Sequence, residues 1–390
     1  MEYISYASQW IDEDDITAVK VAMQKSLLTR GQLVCNFEQS VADFCGARFA
    51  VAFNSGTSAL SAAYFAAKTT PLDMLFTSTN TFIGTISGGV SRGSFPVFVD
   101  INPYEGNLDL DHLDALINRP STRGREIIIP VHFGGFPVRM DVLSRMIKRP
   151  DTVIIEDAAH AFGSEYSDGD RIGSCSYSDM TIFSLHPSKN ITTGEGGLVT
   201  TNSEEYYDRL LMYRNNGIVQ DLDHLKQERE PWYYEVKELS GNFHLTDFQA
   251  ALGMSQLNKL DKFISIREEF HRHYISALSN IEGIQVLHTE KSQRIGHHLC
   301  VVLIDFERFK TTRGYVMQCL KEEGIGSQVH YIPMYRHPCF EKYITQGEFQ
   351  ELYPGSELYY SQALTLPLHC KLDFSQINHI VDTLKRVLKN

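Results

Sequence analysis

The stretch of sequence that decides the fold is residues 153–160, which read VIIEDAAH. Three β-branched residues follow one another without a polar residue between them and are succeeded by Glu156 and Asp157. A short, continuously apolar run is typical of a strand buried on both faces, and such strands belong to a mostly parallel sheet. Ligands of open α/β sheets gather beyond the carboxyl ends of the strands, so chemistry is expected at Asp157.

Similar runs recur along the first 250 residues and alternate with helix-like stretches. Strands are predicted at 49–53, 96–100, 126–131, 152–155, 180–183 and 197–200, and helices at 15–26, 37–44, 58–68 and 110–117. This alternation predicts an α/β fold, with a mostly parallel sheet in a large domain that covers residues 1–250.

The remaining residues, 251–390, predict a smaller C-terminal α+β domain. Thr246 and Gln249 have the spacing of a capping box, and we expect one long amphipathic helix from there to Leu278. Further strands are predicted at 284–287 and 299–304, and further helices at 313–323 and 374–388.

The composition excludes several classes of protein. With 43% hydrophobic and 22% charged residues, the chain is expected to be globular and soluble, neither disordered nor fibrous. A net charge of −12 argues against a nucleic-acid partner, since such binders carry basic faces. No apolar run predicts a membrane span and the first residues do not resemble a signal peptide, so a cytoplasmic location is expected. The seven cysteines form no C-x-x-C pair, which predicts neither a disulfide framework nor a metal site.

Two segments carry candidate chemistry at strand ends. Residues 54–59, NSGTSA, follow a predicted strand and open a helix, whose free N–H groups suit a phosphate. Plain helix capping is the alternative for these residues. Asp157 is interpreted either as another N-cap or as the partner of a protonated heteroaromatic nitrogen.

A third segment, residues 183–197, reads FSLHPSKNITTGEGG and contains Lys189. Desolvation lowers the pKa of an amine, and only the neutral amine attacks a carbonyl group. A surface lysine is the ordinary alternative, but the order of Asp157, Ser184 and Lys189 along successive strands favours a reactive amine. The Gly-rich end lacks the G-x-G-x-x-G spacing of a dinucleotide site.

Five segments in order resemble the DegT/DnrJ/EryC1/StrS family of nucleotide-sugar aminotransferases, and the likeness covers nearly the whole chain. They are NSGTSAL at 54–60, TF at 81–82, EDAAHAFGSEY at 156–166, FSLHPSKNITTGEGG at 183–197 and GNFHLTDFQAALGMSQL at 241–257. The resemblance implies the fold-type I architecture of pyridoxal 5'-phosphate (PLP) enzymes, with pyridoxamine phosphate (PMP) as an intermediate form of the cofactor.

The resemblance also implies roles for single residues. Lys189 would bond covalently to PLP and later carry a proton, and Asp157 would keep the pyridine nitrogen protonated. Gly56, Thr57 and Ser184 would hold the phosphate.

Four more residues complete the implied cofactor site. Phe82 and Ala159 would lie against the two faces of the ring, and His160 would lie near its phenolic oxygen. Asn242 would reach the phosphate of a neighbouring subunit, which implies a homodimer with shared active sites. The family loop often reads GYNYR, whereas residues 240–244 read SGNFH, so the role of the arginine is in doubt here.

Residues 324–333 and 361–368 resemble the branch of the family that works in the pseudaminic acid pathway. Interdomain packing is the alternative explanation of these aromatic and polar residues. By this likeness the sugar nucleotide would contact Tyr6, Ser26, Thr29, Gln328, Val329, His330 and Tyr331.

The function predicted by the resemblance is a transamination in two halves. L-glutamate would donate the amino group, and the 4-keto group of a UDP-linked 6-deoxy-N-acetylhexosulose would receive it, giving a 4-amino sugar nucleotide. Alternatives are an aminotransferase for a GDP- or dTDP-linked sugar or for a cyclitol, a PLP-binding sugar dehydratase, and a non-enzymatic regulator. Lys189 argues against the dehydratase, because that branch has histidine at this position.

Overall fold

A computed structural model describes residues 3–119, 124–220, 225, 230–288, 293–344 and 347–389. Its strands are β1 (Phe49–Phe53), β2 (Met74–Ser78), β3 (Phe95–Val99), β4 (Glu126–Ile129), β5 (Val153–Asp157), β6 (Met180–Ser184), β7 (Gly197–Thr201), β8 (Ile218–Val219), β9 (Glu235–Val236), β10 (Ile284–Val286), β11 (Cys300–Ile304) and β12 (Ala363–Leu366). Its α-helices are α1 (Glu13–Met23), α2 (Gln32–Cys45), α3 (Gly56–Ala66), α4 (Gly84–Ser91), α5 (Leu110–Ile117), α6 (Met140–Met146), α7 (Glu204–Arg214), α8 (Asp247–Leu257), α9 (Leu260–Leu278), α10 (Arg313–Glu322), α11 (Phe349–Leu352), α12 (Pro354–Gln362) and α13 (Phe374–Lys389).

The first sheet has seven strands in the order β1-β7-β6-β5-β4-β2-β3. The ladders from β6 through β5, β4 and β2 to β3 are parallel, and β7 runs antiparallel to both β1 and β6. The carboxyl ends of β1, β5 and β6 therefore meet at the same edge of the sheet. The predicted mostly parallel sheet is confirmed.

Both faces of this sheet are buried, which explains the unbroken apolar runs. In β4 the side chains of Ile127 and Ile129 pack into one hydrophobic cluster, and Ile128 packs into another on the opposite face. Consecutive side chains of a strand point to opposite faces, so a strand covered on both sides needs apolar residues at each position.

A three-stranded antiparallel sheet, β10-β11-β12, forms the smaller C-terminal unit together with α9, α10 and α13. Its apolar residues pack with the inner faces of these helices. The first residues of the chain also belong here, because Ile4 exchanges backbone hydrogen bonds with Gly324 and Gly326. The N-terminal segment thereby brings Tyr6 to the region between the two sheets.

The expectation of one long helix from 246 to 278 is wrong, because the helix is interrupted at Asn258 and Lys259. The Lys259 amine bonds the carboxylates of Asp12, the N-cap of α1, and of Asp15 in the first turn of that helix, at 2.6 and 2.7 Å. Ahead of the interruption α8 packs on α1 and α2, and after it α9 runs to the small sheet. The domain division after residue 250 stays a prediction, and α8 spans it. No helix in the described ranges combines the length and hydropathy needed to cross a membrane.

Candidate active site

A cavity of about 930 Å³ opens at the carboxyl ends of β1, β5 and β6. Its lining includes most of the residues that the sequence predicted for cofactor and substrate. They are Tyr6, Gly56, Thr57, Phe82, Asp157, Ala159, His160, Ser184, Lys189, Asn242, Gln328, Val329, His330 and Tyr331.

Ser26 and Thr29, predicted at the sugar-nucleotide site, are not brought to this cavity. Thr29 instead pairs through its backbone with Thr246, and the Asp247 N–H donates to Leu28 O at 2.9 Å. These contacts hold the segment at Leu28 and Thr29 against the start of α8. Neither Ser26 nor Thr29 therefore lines the cavity of its own chain.

Asp157 is the last residue of β5 and is 4% exposed. Its Oδ2 accepts a hydrogen bond from Thr85 Oγ1 at 2.6 Å, and its Oδ1 accepts from the Ala159 N–H at 3.1 Å. Thr81 Oγ1 lies 2.6 Å from Thr85 Oγ1, so Thr81 donates to Thr85 while Thr85 donates to the carboxylate. Within the described part of the chain no ion pair neutralises this carboxylate, which therefore suits a cationic N–H of a ligand.

Lys189 follows β6 in a loop and lines the same cavity. Burial lowers the pKa of its amine to about 8, and the Asp157 carboxylate opposes that shift. The amine is therefore partly neutral near neutral pH, as a nucleophile toward a carbonyl group must be. Arg267 Nη2 approaches the Lys189 carbonyl oxygen at 3.5 Å and ties this loop to α9.

The start of α3 forms a cradle for an anion. Ser55 caps the helix by accepting from the Ser58 N–H at 3.1 Å, and Ser58 Oγ donates to Asn54 Oδ1 at 2.7 Å. A Cβ added to Gly56 would lie 3.0 Å from Cβ of Ser184, so glycine keeps this space open. The predicted helix cap is present, and the start of the helix also faces the cavity, so phosphate binding by this segment stays a prediction.

Phe82 and Ala159 both line the cavity, and the Phe82 ring is exposed to it. The Phe82 side chain is 56% exposed, which is unusual for a phenylalanine in the interior of a site, and its ring centroid lies 6.3 Å from that of Tyr331. An accessible aromatic face of this kind suits stacking against a flat ring.

His160 joins the cofactor side of the cavity to the segment at 328–331. Its Nδ1 accepts from the Gly134 N–H at 3.3 Å, so in the neutral ring Nε2 carries the proton and donates to Tyr331 Oη at 3.0 Å. Burial lowers the pKa of His160 well below its usual value, and Lys189 adds to this effect. A neutral imidazole leaves the Tyr331 hydroxyl proton free to donate into the cavity.

The segment at 328–331 is held from both sides. The Tyr331 N–H donates to Asn80 Oδ1 at 2.9 Å, and His330 Nδ1 lies 2.9 Å from Thr365 Oγ1 of β12. Tyr359 Oη donates to His330 O at 2.6 Å. The segment therefore forms a fixed wall between the large sheet and the small sheet.

Asn242 lines the cavity of its own chain, because the Asn54 N–H donates to Phe243 O at 2.9 Å and fixes the loop. Its contact with a neighbouring subunit stays a prediction. His244, at the position of the family arginine, lies 3.2 Å from Asn215 Oδ1 through Nε2. Burial, with Arg214 and Arg30, lowers its pKa to about 4, so it carries no charge at neutral pH.

Sequence reasoning missed Thr85 and His298, which both line the cavity. Thr85 lies in the first turn of α4, four positions after Thr81, and no motif in the sequence marks it. His298 Nε2 lies 3.4 Å from Lys189 Nζ, across 109 positions of sequence, and no local pattern marks such a contact.

These residues fit PLP. The Asp157 carboxylate suits the pyridine N–H, the open cradle at Gly56 suits the phosphate, and the Lys189 amine suits the aldehyde. No cluster of three or more metal-ligating side chains occurs among the residues that the structure describes.

Comparison with known proteins gives a consistent result. The model of the DegT/DnrJ/EryC1/StrS aminotransferase family matches residues 9–385. The chain is 33% identical to the spore coat polysaccharide biosynthesis protein SpsC of Bacillus subtilis, covering 99% of this chain and 97% of SpsC. It is also 33% identical to the UDP-4-amino-4,6-dideoxy-N-acetyl-beta-L-altrosamine transaminase of Campylobacter jejuni strain 81-176, covering 99% and 98%.

Solved structures agree. PseC of Helicobacter pylori, an aminotransferase involved in the biosynthesis of pseudoaminic acid, superposes with a TM-score of 0.89 at 26% identity over the whole of both chains. Spr1654 of Streptococcus pneumoniae in its PLP form gives a TM-score of 0.88 at 26% identity, covering 99% of each chain. Spr1654 has also been solved in a PMP form.

Proposed function

We propose that this chain, which belongs to the DegT/DnrJ/EryC1/StrS aminotransferase family, transfers an amino group from L-glutamate to the 4-keto carbon of a UDP-linked 6-deoxy-N-acetylhexosulose. The observation that carries the proposal is a single cavity faced by the Asp157 carboxylate, the Lys189 amine and the start of α3. The predicted family, the fold-type I architecture, and a PLP-dependent aminotransferase with PLP and PMP forms are confirmed.

When bound, PLP supplies an electron sink that stabilises negative charge on a substrate carbon. Asp157 keeps that sink effective by holding a proton on the ring nitrogen through its buried carboxylate. Thr85 and the Ala159 N–H hold the carboxylate in place. The start of α3, with Gly56, Thr57 and Ser184, binds the phosphate.

Lys189 moves the proton of the reaction. As a neutral amine it takes a proton from the substrate carbon. As an ammonium it then gives that proton to the second carbon atom involved in the transfer. A pKa of about 8 lets the amine pass between both states at neutral pH. Phe82 and Ala159, which both line the cavity, would lie against the two faces of the cofactor ring.

The sugar nucleotide occupies the opposite side of the cavity, against Tyr6 and the segment at 328–331. The name of the Campylobacter relative supports a UDP-linked 4-amino sugar as the product class, and the description of the Helicobacter structure supports a role in pseudaminic acid biosynthesis. The functional enzyme is a homodimer, in which Asn242 reaches the phosphate site of the second copy.

An absorbance experiment on the purified protein tests this function. The PLP-loaded protein should be yellow, should bleach when L-glutamate is added, and should regain colour with a UDP-4-keto-6-deoxy-N-acetylhexosulose. Return of colour with a GDP- or dTDP-linked keto sugar, but with no UDP-linked one, would contradict the assigned substrate.

Lys189→Ala should remove the covalent attachment and reduce turnover about 10³-fold or more, because the same amine bonds the cofactor and moves the proton. The matched control is Lys68→Ala, which removes an exposed lysine paired with Glu205. Unchanged colour and bleaching in Lys189→Ala would refute the role of Lys189.

A further inference from the structure

The amine of Lys189 has a specific neighbour on the small-sheet side of the cavity. Nε2 of His298 lies 3.4 Å from Lys189 Nζ, and it is the one hydrogen-bond partner that the described residues provide for this amine. The imidazole is 4% exposed and belongs to the lining of the cavity.

The position of His298 is fixed by its backbone. The His298 N–H donates to Gly134 O at 2.9 Å, and Arg267 Nη1 approaches its carbonyl oxygen at 3.5 Å. The next residue but one, Cys300, begins β11. A substitution of the side chain leaves these anchors in place, so its effect on Lys189 can be separated from an effect on the fold.

The ring of His298 is kept neutral. Burial lowers its pKa well below the usual value, and the nearby Lys189 amine adds to the shift. A neutral imidazole has one N–H and one lone pair. Its Nδ1 has no hydrogen-bond partner among the described residues, so nothing there competes with the contact at Nε2.

We propose that His298 is a positioning residue for Lys189. Nε2 of His298 accepts an N–H hydrogen bond from the Lys189 amine whenever that amine carries the transferred proton. The proton moves between Nζ and the reacting carbon atoms and never passes to His298, which gains and loses only a hydrogen bond. The contact directs the ammonium toward the reacting carbon and supports it where water has little access. This inference rests on Lys189 as the reacting amine of the proposed function, and it is independent of which sugar is bound.

The charges around Lys189 give the sign of the expected effect. The Asp157 carboxylate at the end of β5 favours the ammonium form of Lys189. Arg267 of α9 contacts the backbone carbonyl oxygen of Lys189. Burial keeps the rings of His160, His298 and His330 neutral. Removing the acceptor at His298 withdraws support from the ammonium and leaves the other charges unchanged. The pKa of Lys189 should therefore fall.

Competitive labelling of the full-length, cofactor-free chain with acetic anhydride measures this pKa directly, with the Lys189 peptide quantified by mass spectrometry across pH. His298→Phe keeps the ring volume and removes the acceptor, and its labelling midpoint should fall by about one pH unit. His298→Gln retains an acceptor and should lie within about 0.3 units of the wild-type midpoint. The matched control is His297→Phe, since His297 stacks on His271 with ring centroids 4.1 Å apart.

In the PLP-loaded enzyme, His298→Phe should lower kcat about tenfold and change KM for either substrate less than about twofold, with His298→Gln largely restoring kcat. An unchanged labelling midpoint in His298→Phe, or an equal shift in His298→Gln or His297→Phe, would overturn the proposal. Thermal unfolding identifies a variant that does not fold, and His298→Leu then takes the place of His298→Phe. Labelling involves no sugar, so a negative result here leaves the substrate assignment untouched.

Discussion

The two sides of the cavity are built in different ways. The cofactor wall, which we define as Asp157, Lys189, Ser184 and the start of α3, lies at the carboxyl ends of β1, β5 and β6, three strands of one buried sheet. The substrate wall, which we define as Tyr6 with residues 328–331, comes from two segments more than 300 positions apart and is held between Asn80 and Thr365.

This difference suggests a division of labour. A wall fixed by a seven-stranded sheet gives a set geometry for chemistry that is common to both halves of the reaction. A wall formed by segments between two sheets can differ in its side chains without disturbing that geometry. We expect cofactor-wall variants to slow both half-reactions and substrate-wall variants to slow the sugar half alone.

After Lys189→Ala, the largest expected effect on the cofactor wall comes from Asp157→Asn. The change keeps the shape of the side chain but removes the charge that holds the ring nitrogen protonated, so turnover should fall about 10²–10³-fold. Single-turnover absorbance with each substrate gives the two rates. The control is Asp179→Asn, a partly buried carboxylate, whose Oδ2 accepts from the Ile154 N–H at 2.8 Å outside the cavity. A loss of less than tenfold in Asp157→Asn would contradict the role of this carboxylate.

The cofactor wall could largely be predicted from sequence, because its residues lie beside strands that are recognisable by their unbroken apolar runs. Asp157 and Ser184 end β5 and β6, and Gly56 and Thr57 lie just beyond β1. Contacts between distant segments could not be predicted in this way. His298 meets Lys189 through the packing of the small sheet against the large one, and Thr85 meets Asp157 across a space of 72 positions.

The same limit applies to the fold. The strand β2, MLFTS, was missed because two hydroxyl residues end it, yet all five of its residues are buried, and Thr77 Oγ1 donates to Ile129 O at 2.8 Å. Periodicity also predicted one helix where the structure has α8 and α9. The acidic partners of Lys259 at the break lie at the start of α1, far away in sequence, so a local pattern does not reveal them.

An intermediate effect is expected for Tyr6→Phe on the substrate wall. The ring of Tyr6 lies 5.7 Å from that of His330, and the substitution keeps this contact while it removes one hydroxyl from the cavity. Loss of one hydrogen bond should raise KM for the sugar nucleotide about fivefold and leave the glutamate half unchanged. Tyr3→Phe, on an exposed side chain of the same segment, is the control. An unchanged KM for the sugar nucleotide would show that the Tyr6 hydroxyl does not bind the substrate.

The smallest effect is expected for Ser26→Ala and Thr29→Val. Neither residue lines the cavity of its own chain, so each variant should keep KM for the sugar nucleotide within about twofold of wild type. Steady-state kinetics with both substrates measure this. A rise of fivefold or more would show that these residues reach a site formed with a second copy, and the substrate wall would then extend across the dimer.

The separation of the two walls is tested most directly by stopped-flow rates of the two half-reactions in Asp157→Asn and Tyr6→Phe. Our account predicts that Asp157→Asn slows the glutamate and sugar halves by similar factors, and that Tyr6→Phe at subsaturating substrate slows the sugar half alone. Equal slowing of both halves by Tyr6→Phe, or slowing of one half alone by Asp157→Asn, would contradict it.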